Sequence, residues 1–163
     1  MKWKDSINDF KDYLRIERGL SNNSILSYEN DLNKLSNFIK KNDKSIKPNE
    51  VTSEIIKEFI YHVSKEIKSN SQSRIISGIR SFYDYLLFEK IIEFNPLTNI
   101  ESPKLTRKLP STLSENEINI MINNINKNKK EAERNVAIIE TLYGCGLRVS
   151  ELIGLKISDL FFE

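Results

Sequence analysis

Over most of the chain, apolar residues recur at helical spacing, while Gly and Pro fall almost entirely between the periodic segments. A chain patterned in this way is mainly α. A first helix is predicted over residues 6–18, with Ile7, Phe10 and Leu14 on one face and Gly19 as its stop. The second begins after Ser21, Asn22 and Asn23, whose short polar side chains suit a helix start, and runs to about Lys41 with Ile25, Tyr28, Leu32, Leu35 and Ile39 in one stripe. Pro48 and Thr52 introduce a third, carrying Ile56, Phe59, Ile60, Val63 and Ile67, with His62 off that stripe. A fourth follows Ser69, presents Ile75, Ile79, Phe82 and Leu86 to a core, and is expected to end near Asn95 and Pro96. Four amphipathic helices with short connections make a compact bundle.

The stretch 95–111 contains Pro96, Pro103 and Pro110 and is read as extended, an interdomain linker. Beyond it, Ser114 and Glu117 have capping-box spacing and open a fifth helix with Ile118, Met121, Ile122 and Ile125. A sixth carries Val136, Ile139 and Leu142 to a stop at Gly144, and Gly146 opens a short helix over 147–152. A strand starting near Phe161 has no partner in the sequence, so the second domain looks unfinished and the chain truncated.

With 163 residues the chain is long enough for one good core or two small domains. Its 39% hydrophobic and 29% charged residues, with a net charge of +2, are those of a globular protein rather than a disordered one. No segment approaches the roughly 20 apolar residues of a membrane span, and the N-terminus lacks the apolar stretch of a secretory signal, so a cytoplasmic location without membrane partners is expected. One cysteine, Cys145, and one histidine, His62, do not make a disulfide framework or a Cys/His zinc site, so no metal or redox cofactor is expected. The near-neutral total hides two acid-free basic windows. Between Glu66 and Asp84 the only charges are Lys68, Arg74 and Arg80; between Glu101 and Glu115 they are Lys104, Arg107 and Lys108.

The first window lies on the fourth helix, where Arg74 and Ser77 share a stripe and Ser73, Ser77 and Arg80 an overlapping one, opposite Ile75, Ile79 and Phe82. Short hydroxyls let a phosphate backbone approach closely, and arginine offers fork donors to phosphate or guanine. The second helix opens with Ser24 and Ser27 near its N-terminus, itself a phosphate-binding arrangement. DNA suits both. Further on, Thr141-Leu142-Tyr143-Gly144-Cys145-Gly146-Leu147-Arg148-Val149-Ser150-Glu151-Leu152 sets Arg148 in the first turn of a helix after a glycine-bearing junction, with Glu151 one turn on.

That string resembles the first-arginine motif of the tyrosine recombinases, the phage-integrase family, and the chain from about Ile7 to Leu160 looks like the N-terminal portion of a bacterial Xer-type recombinase. Supporting matches are Leu20 to Tyr28, Ser73 to Tyr83, Asn95-Pro96 leading to Pro103-Lys104, Leu109-Pro110, and Leu155 to Leu160. The resemblance implies a four-helix core-binding (SAM-like) domain over 1–102, a linker over 103–110 that follows the DNA with Lys104, Arg107 and Lys108, and over 111–163 the helical beginning of a mixed α/β catalytic domain. It implies a double-stranded recombination site as partner, other protomers in a tetramer on paired sites, and strand exchange through a 3′-phosphotyrosyl link without metal. By the same resemblance Arg148 stabilises charge on the scissile phosphate and Glu151 supports its geometry. No histidine, second arginine or tyrosine follows Arg148, and all six tyrosines precede it, so the chain is expected to bind DNA without cutting it. Two rivals are a stand-alone regulator that occupies recombination sites and a helical protein-interaction module.

Overall fold

The computed structural model describes residues 1–42, 45–103, 111–125 and 129–160. All regular structure in them is helical, and the chain divides into two compact units, Met1–Arg107 and Lys108–Glu163.

The first unit is built from α1 (Trp3–Ile16), α2 (Asn22–Lys41), α3 (Ser53–Ser64) and α4 (Ser69–Phe88), with a 3-10 turn, Pro48–Glu50, before α3. Helix α2 lies at its centre, packing against α1, α3 and α4. Each predicted stripe faces the core: Phe10 and Leu14, then Leu32, Leu35 and Ile39, then Ile56 and Phe59, then Ile79, Phe82 and Leu86 are buried together. Phe10 and Phe82 meet edge to face with ring centroids 5.4 Å apart, an arrangement aromatic quadrupoles favour.

Helix boundaries follow tertiary contacts as much as local signals. Helix α1 begins at Trp3 rather than Ser6, because the Trp3 indole packs near Phe82 and donates to the Ile46 carbonyl at 2.9 Å. Gly19 does end it, at φ 59°. Helix α4 stops at Phe88, well before Pro96: Lys90 takes a left-handed φ of 57°, and the Ile91 N–H folds back to the Leu86 carbonyl at 2.9 Å.

The reading of 95–111 as extended fails in its first part. Asn95 accepts from the Leu97 N–H at 2.8 Å, its side-chain amide donates to Asp84 at 2.6 Å, and its carbonyl accepts from the Thr98 N–H and hydroxyl. This Asx-type turn brings Leu97 and Ile100 back onto the helical core, where both are buried.

In the second unit α5 (Glu115–Asn123) packs on α6 (Ala132–Cys145), which packs on α7 (Val149–Gly154); a 3-10 turn spans Ile157–Asp159. The capping box at Ser114 and Glu117 is present. Helix α6 runs through Gly144 to Cys145, and the left-handed residue that ends it is Gly146, at φ 62°. Among the described residues of this unit only Ile118 and Ala132 are buried, and Ile120, Val149, Ile153 and Ile157 are open to solvent. The strand expected near Phe161 lies outside the described residues.

Candidate nucleic-acid interface

Two sets of polar side chains stand out, one in each unit. In the first, Arg74 on α4 reaches across to α2. Its Nη1 donates to Asp31 Oδ2 at 2.7 Å, its Nη2 to Asp31 Oδ1 at 2.8 Å, and Nη1 also donates to the Ser27 hydroxyl. Asp31 is 1% exposed. Burial pushes its carboxyl up from the ordinary value, opposed by the hydrogen bonds and charge of Arg74 and more weakly by Lys34. The close approach of the two helices rests on Gly78: a Cβ there would stand 2.8 Å from Asp31 Oδ2 and 3.4 Å from Tyr28.

Of the residues predicted to face DNA, the fold therefore joins Ser27 and Arg74. Ser24 shares a 3.0 Å hydrogen bond with the Ser21 hydroxyl at the N-cap of α2. The Ser77 hydroxyl donates to the Ser73 carbonyl one turn back, at 3.0 Å, and Ser77 is exposed. Arg80 lies apart from the Arg74 set, its Nη2 donating to the Ile100 carbonyl at 2.6 Å, which ties the segment after α4 to the bundle. Lys104, Arg107 and Lys108 lie outside the described residues.

Sequence reasoning missed Asp31 and Gly78. The one signal for Asp31 was its place amid the apolar stripe of α2, flanked by Tyr28 and Leu35, where an acid requires a partner.

In the second unit Arg148 is not in the first turn of α7 but at its N-cap, with extended φ and ψ of −74° and 154°. Having no acceptor, its side chain cannot close a reciprocal capping box. Glu151 supplies the returning half: Oε2 accepts the Arg148 N–H at 2.7 Å, and Oε1 accepts from Nη1 at 2.8 Å. The backbone bond, then the side-chain bond, holds the Glu151 carboxyl below the ordinary range. The Arg148 side chain is 82% exposed, so a preset backbone presents a guanidinium to solvent with its far end steadied.

The tyrosines are spread over both units. Tyr83 is buried, donates to the Pro48 carbonyl at 3.2 Å, and burial pushes its phenol far up. Tyr85 is also buried, and Tyr13 and Tyr28 pack against the same core. Tyr61 is exposed beneath the Lys65 ammonium, 4.3 Å from its ring centroid, and Tyr143 is exposed on α6.

Among the described residues no helix is long and apolar enough to cross a membrane. Comparison with known proteins matches residues 7–90 to the family described as "Phage integrase, N-terminal SAM-like domain" and residues 111–163 to "Phage integrase family". The chain is 44% identical over 156 residues to the tyrosine recombinase XerD of Oceanobacillus iheyensis, covering 95% of this chain and 52% of that protein. It is 40% identical over 156 residues to XerD of Rickettsia conorii, covering 94% and 50%. It is 35% identical over 159 residues to the tyrosine recombinase XerC of Pelotomaculum thermopropionicum, covering 94% and 52%. The chain thus spans about half the length of the curated relatives it matches. Its helical first unit and its glycine-set arginine are accordingly those of a chain that belongs to the phage integrase family.

Proposed function

We propose that this chain is the DNA-binding portion of a site-specific tyrosine recombinase, which cuts and rejoins double-stranded DNA through a 3′-phosphotyrosyl intermediate in the cytoplasm. The observation that carries this reading is the exposed Arg148 side chain, set by the turn at Gly146 and steadied by Glu151. A guanidinium held there stabilises charge that develops on the non-bridging oxygens of a phosphodiester under attack. In that reaction a tyrosine oxygen bonds to phosphorus as the bond to the 5′ oxygen breaks, and the 5′ hydroxyl departs with a proton; attack by a 5′ hydroxyl reverses the step. One ester replaces another, so the bond energy is retained. Arg148 serves the charge and Glu151 the geometry of Arg148. Ser24, Ser27, Arg74, Ser77 and Arg80 contact the duplex from the first unit, and the linker residues Lys104, Arg107 and Lys108 add basic contacts to it. Other recombinase protomers, four on paired sites, complete the assembly.

Every tyrosine of this chain precedes Arg148, and Tyr83 and Tyr85 are committed to the core, so the chain binds DNA without breaking it. The test is a duplex carrying a nick that would trap a covalent intermediate, titrated with the chain over a salt series. Binding is expected at low salt and should weaken with a log–log slope of about 0.9 per phosphate neutralised. No adduct should survive denaturing electrophoresis. Salt-sensitive binding that never appears would overturn the DNA reading, whereas a covalent adduct would overturn the absence of chemistry.

A further inference from the structure

Arginine carries five N–H donors on one rigid plane. In Arg74 the end of that plane is already occupied: Nη1 gives one hydrogen to Asp31 and one to Ser27, and Nη2 gives one to Asp31. The two hydrogens left, on Nε and Nη2, lie along the same side edge and form a second fork. No group among the described residues accepts from that edge, and the Arg74 side chain is 49% exposed. Asp31 has no such freedom. It is buried beside Gly78, whose missing Cβ leaves the carboxylate its place, so the grip on Arg74 is fixed from below.

We propose that Asp31 is a positioning residue that holds the end of the Arg74 guanidinium, so that its Nε/Nη2 edge stands ready as a bidentate donor to duplex DNA. This rests on the reading of the chain as a DNA-binding one. The acceptor is a pair of oxygens or nitrogens spaced to meet a fork, which DNA offers in two forms: two oxygens of a backbone phosphate, or O6 and N7 of guanine in the major groove. Order matters more than charge here. Because Asp31 cancels most of the charge of Arg74, electrostatics alone predicts that removing the carboxylate tightens binding. Positioning predicts the reverse, since a released side chain must be ordered again on every encounter.

Opposite signs make the test sharp. The full chain, wild type and the variants D31N and R74K, is titrated with an alternating dA·dT duplex and an alternating dG·dC duplex across a salt series. Circular dichroism and thermal melting report the fold of each variant. R74K keeps the charge but has no fork, and is expected to weaken binding roughly tenfold or more with an unchanged salt slope. D31N should also weaken binding, despite adding positive charge. Equal losses on both duplexes assign the edge to phosphate; losses confined to dG·dC assign it to guanine. A folded D31N that binds as tightly as wild type or tighter overturns the proposal, as does an R74K indistinguishable from wild type. Should D31N not fold, R74K decides. If the wild-type chain binds neither duplex at low salt, the failure lies with the DNA-binding reading itself.

Discussion

Gly78 concentrates the demands made on one residue by two neighbours. It sits on α4 against Asp31 and Tyr28 of α2, and any side chain there meets the Asp31 carboxylate at 2.8 Å. That carboxylate cannot move aside without breaking two charge-assisted hydrogen bonds to Arg74. The substitution G78A should therefore destabilise the first unit by about 1–3 kcal/mol, in spite of alanine's better helix propensity. Urea denaturation checks this, and an unchanged or raised midpoint would show that the helices separate freely. Neither Gly78 nor Asp31 was legible as a functional support in the sequence. Their meaning depends on a pairing between residues 43 apart, Asp31 and Arg74, which no local pattern encodes. Arg74 and Ser27 were legible as surface residues for a different reason: each falls off the apolar stripe of its own helix, which period alone reveals.

At the scale of the element, faces were legible throughout, and ends only where a local signal sets them, as for α2 from its Ser21 cap to Lys41. Stripes in α1 to α4 follow from a period of 3.6, which depends only on the helix. The start of α1 at Trp3 and the end of α4 at Phe88 depend on what those residues touch elsewhere. Helix α5 likewise starts where expected, because its capping box is wholly local. The Ser114 N–H and hydroxyl both donate to Glu117 Oε2 at 2.8 Å, and these bonds hold the Glu117 carboxyl below its ordinary 4.5. A carboxyl lowered by folding contributes stability that is complete above 4.5 and is lost as pH falls through the lower folded value. The first turn of α5 should thus loosen on acidification, read from amide exchange at Glu117 and Ile118. The variant E117Q keeps an acceptor and should lose this pH dependence; a wild-type profile from E117Q would refute the assignment. Asp31 works in the opposite sense. Its carboxyl is raised, so its contribution is present at low pH and is lost as pH rises through the folded value. Residue-resolved measurement keeps the two apart, since they lie in different units.

For the molecule as a whole, the resemblance in motif order named the family, and the helical patterning named the fold class, before any contact was known. What patterning misread was the passage out of the first unit. Three prolines made the stretch look extended, but Asn95 turns it and Leu97 joins the core of the four helices, where it is fully buried. Replacing it, L97A, should cost about 2–5 kcal/mol in chemical denaturation, the range for emptying a core leucine site, where an extended linker residue would cost almost nothing. Arg80 adds a second tie by donating to the Ile100 carbonyl. Anyone excising the helical unit by limited digestion or gene dissection must therefore carry the cut past Ile100. A piece trimmed at Phe88, where the last helix stops, would leave the apolar surface under Leu97 and Ile100 bare and sticky, so a turn without regular structure sets the smallest piece of this bundle that stays soluble.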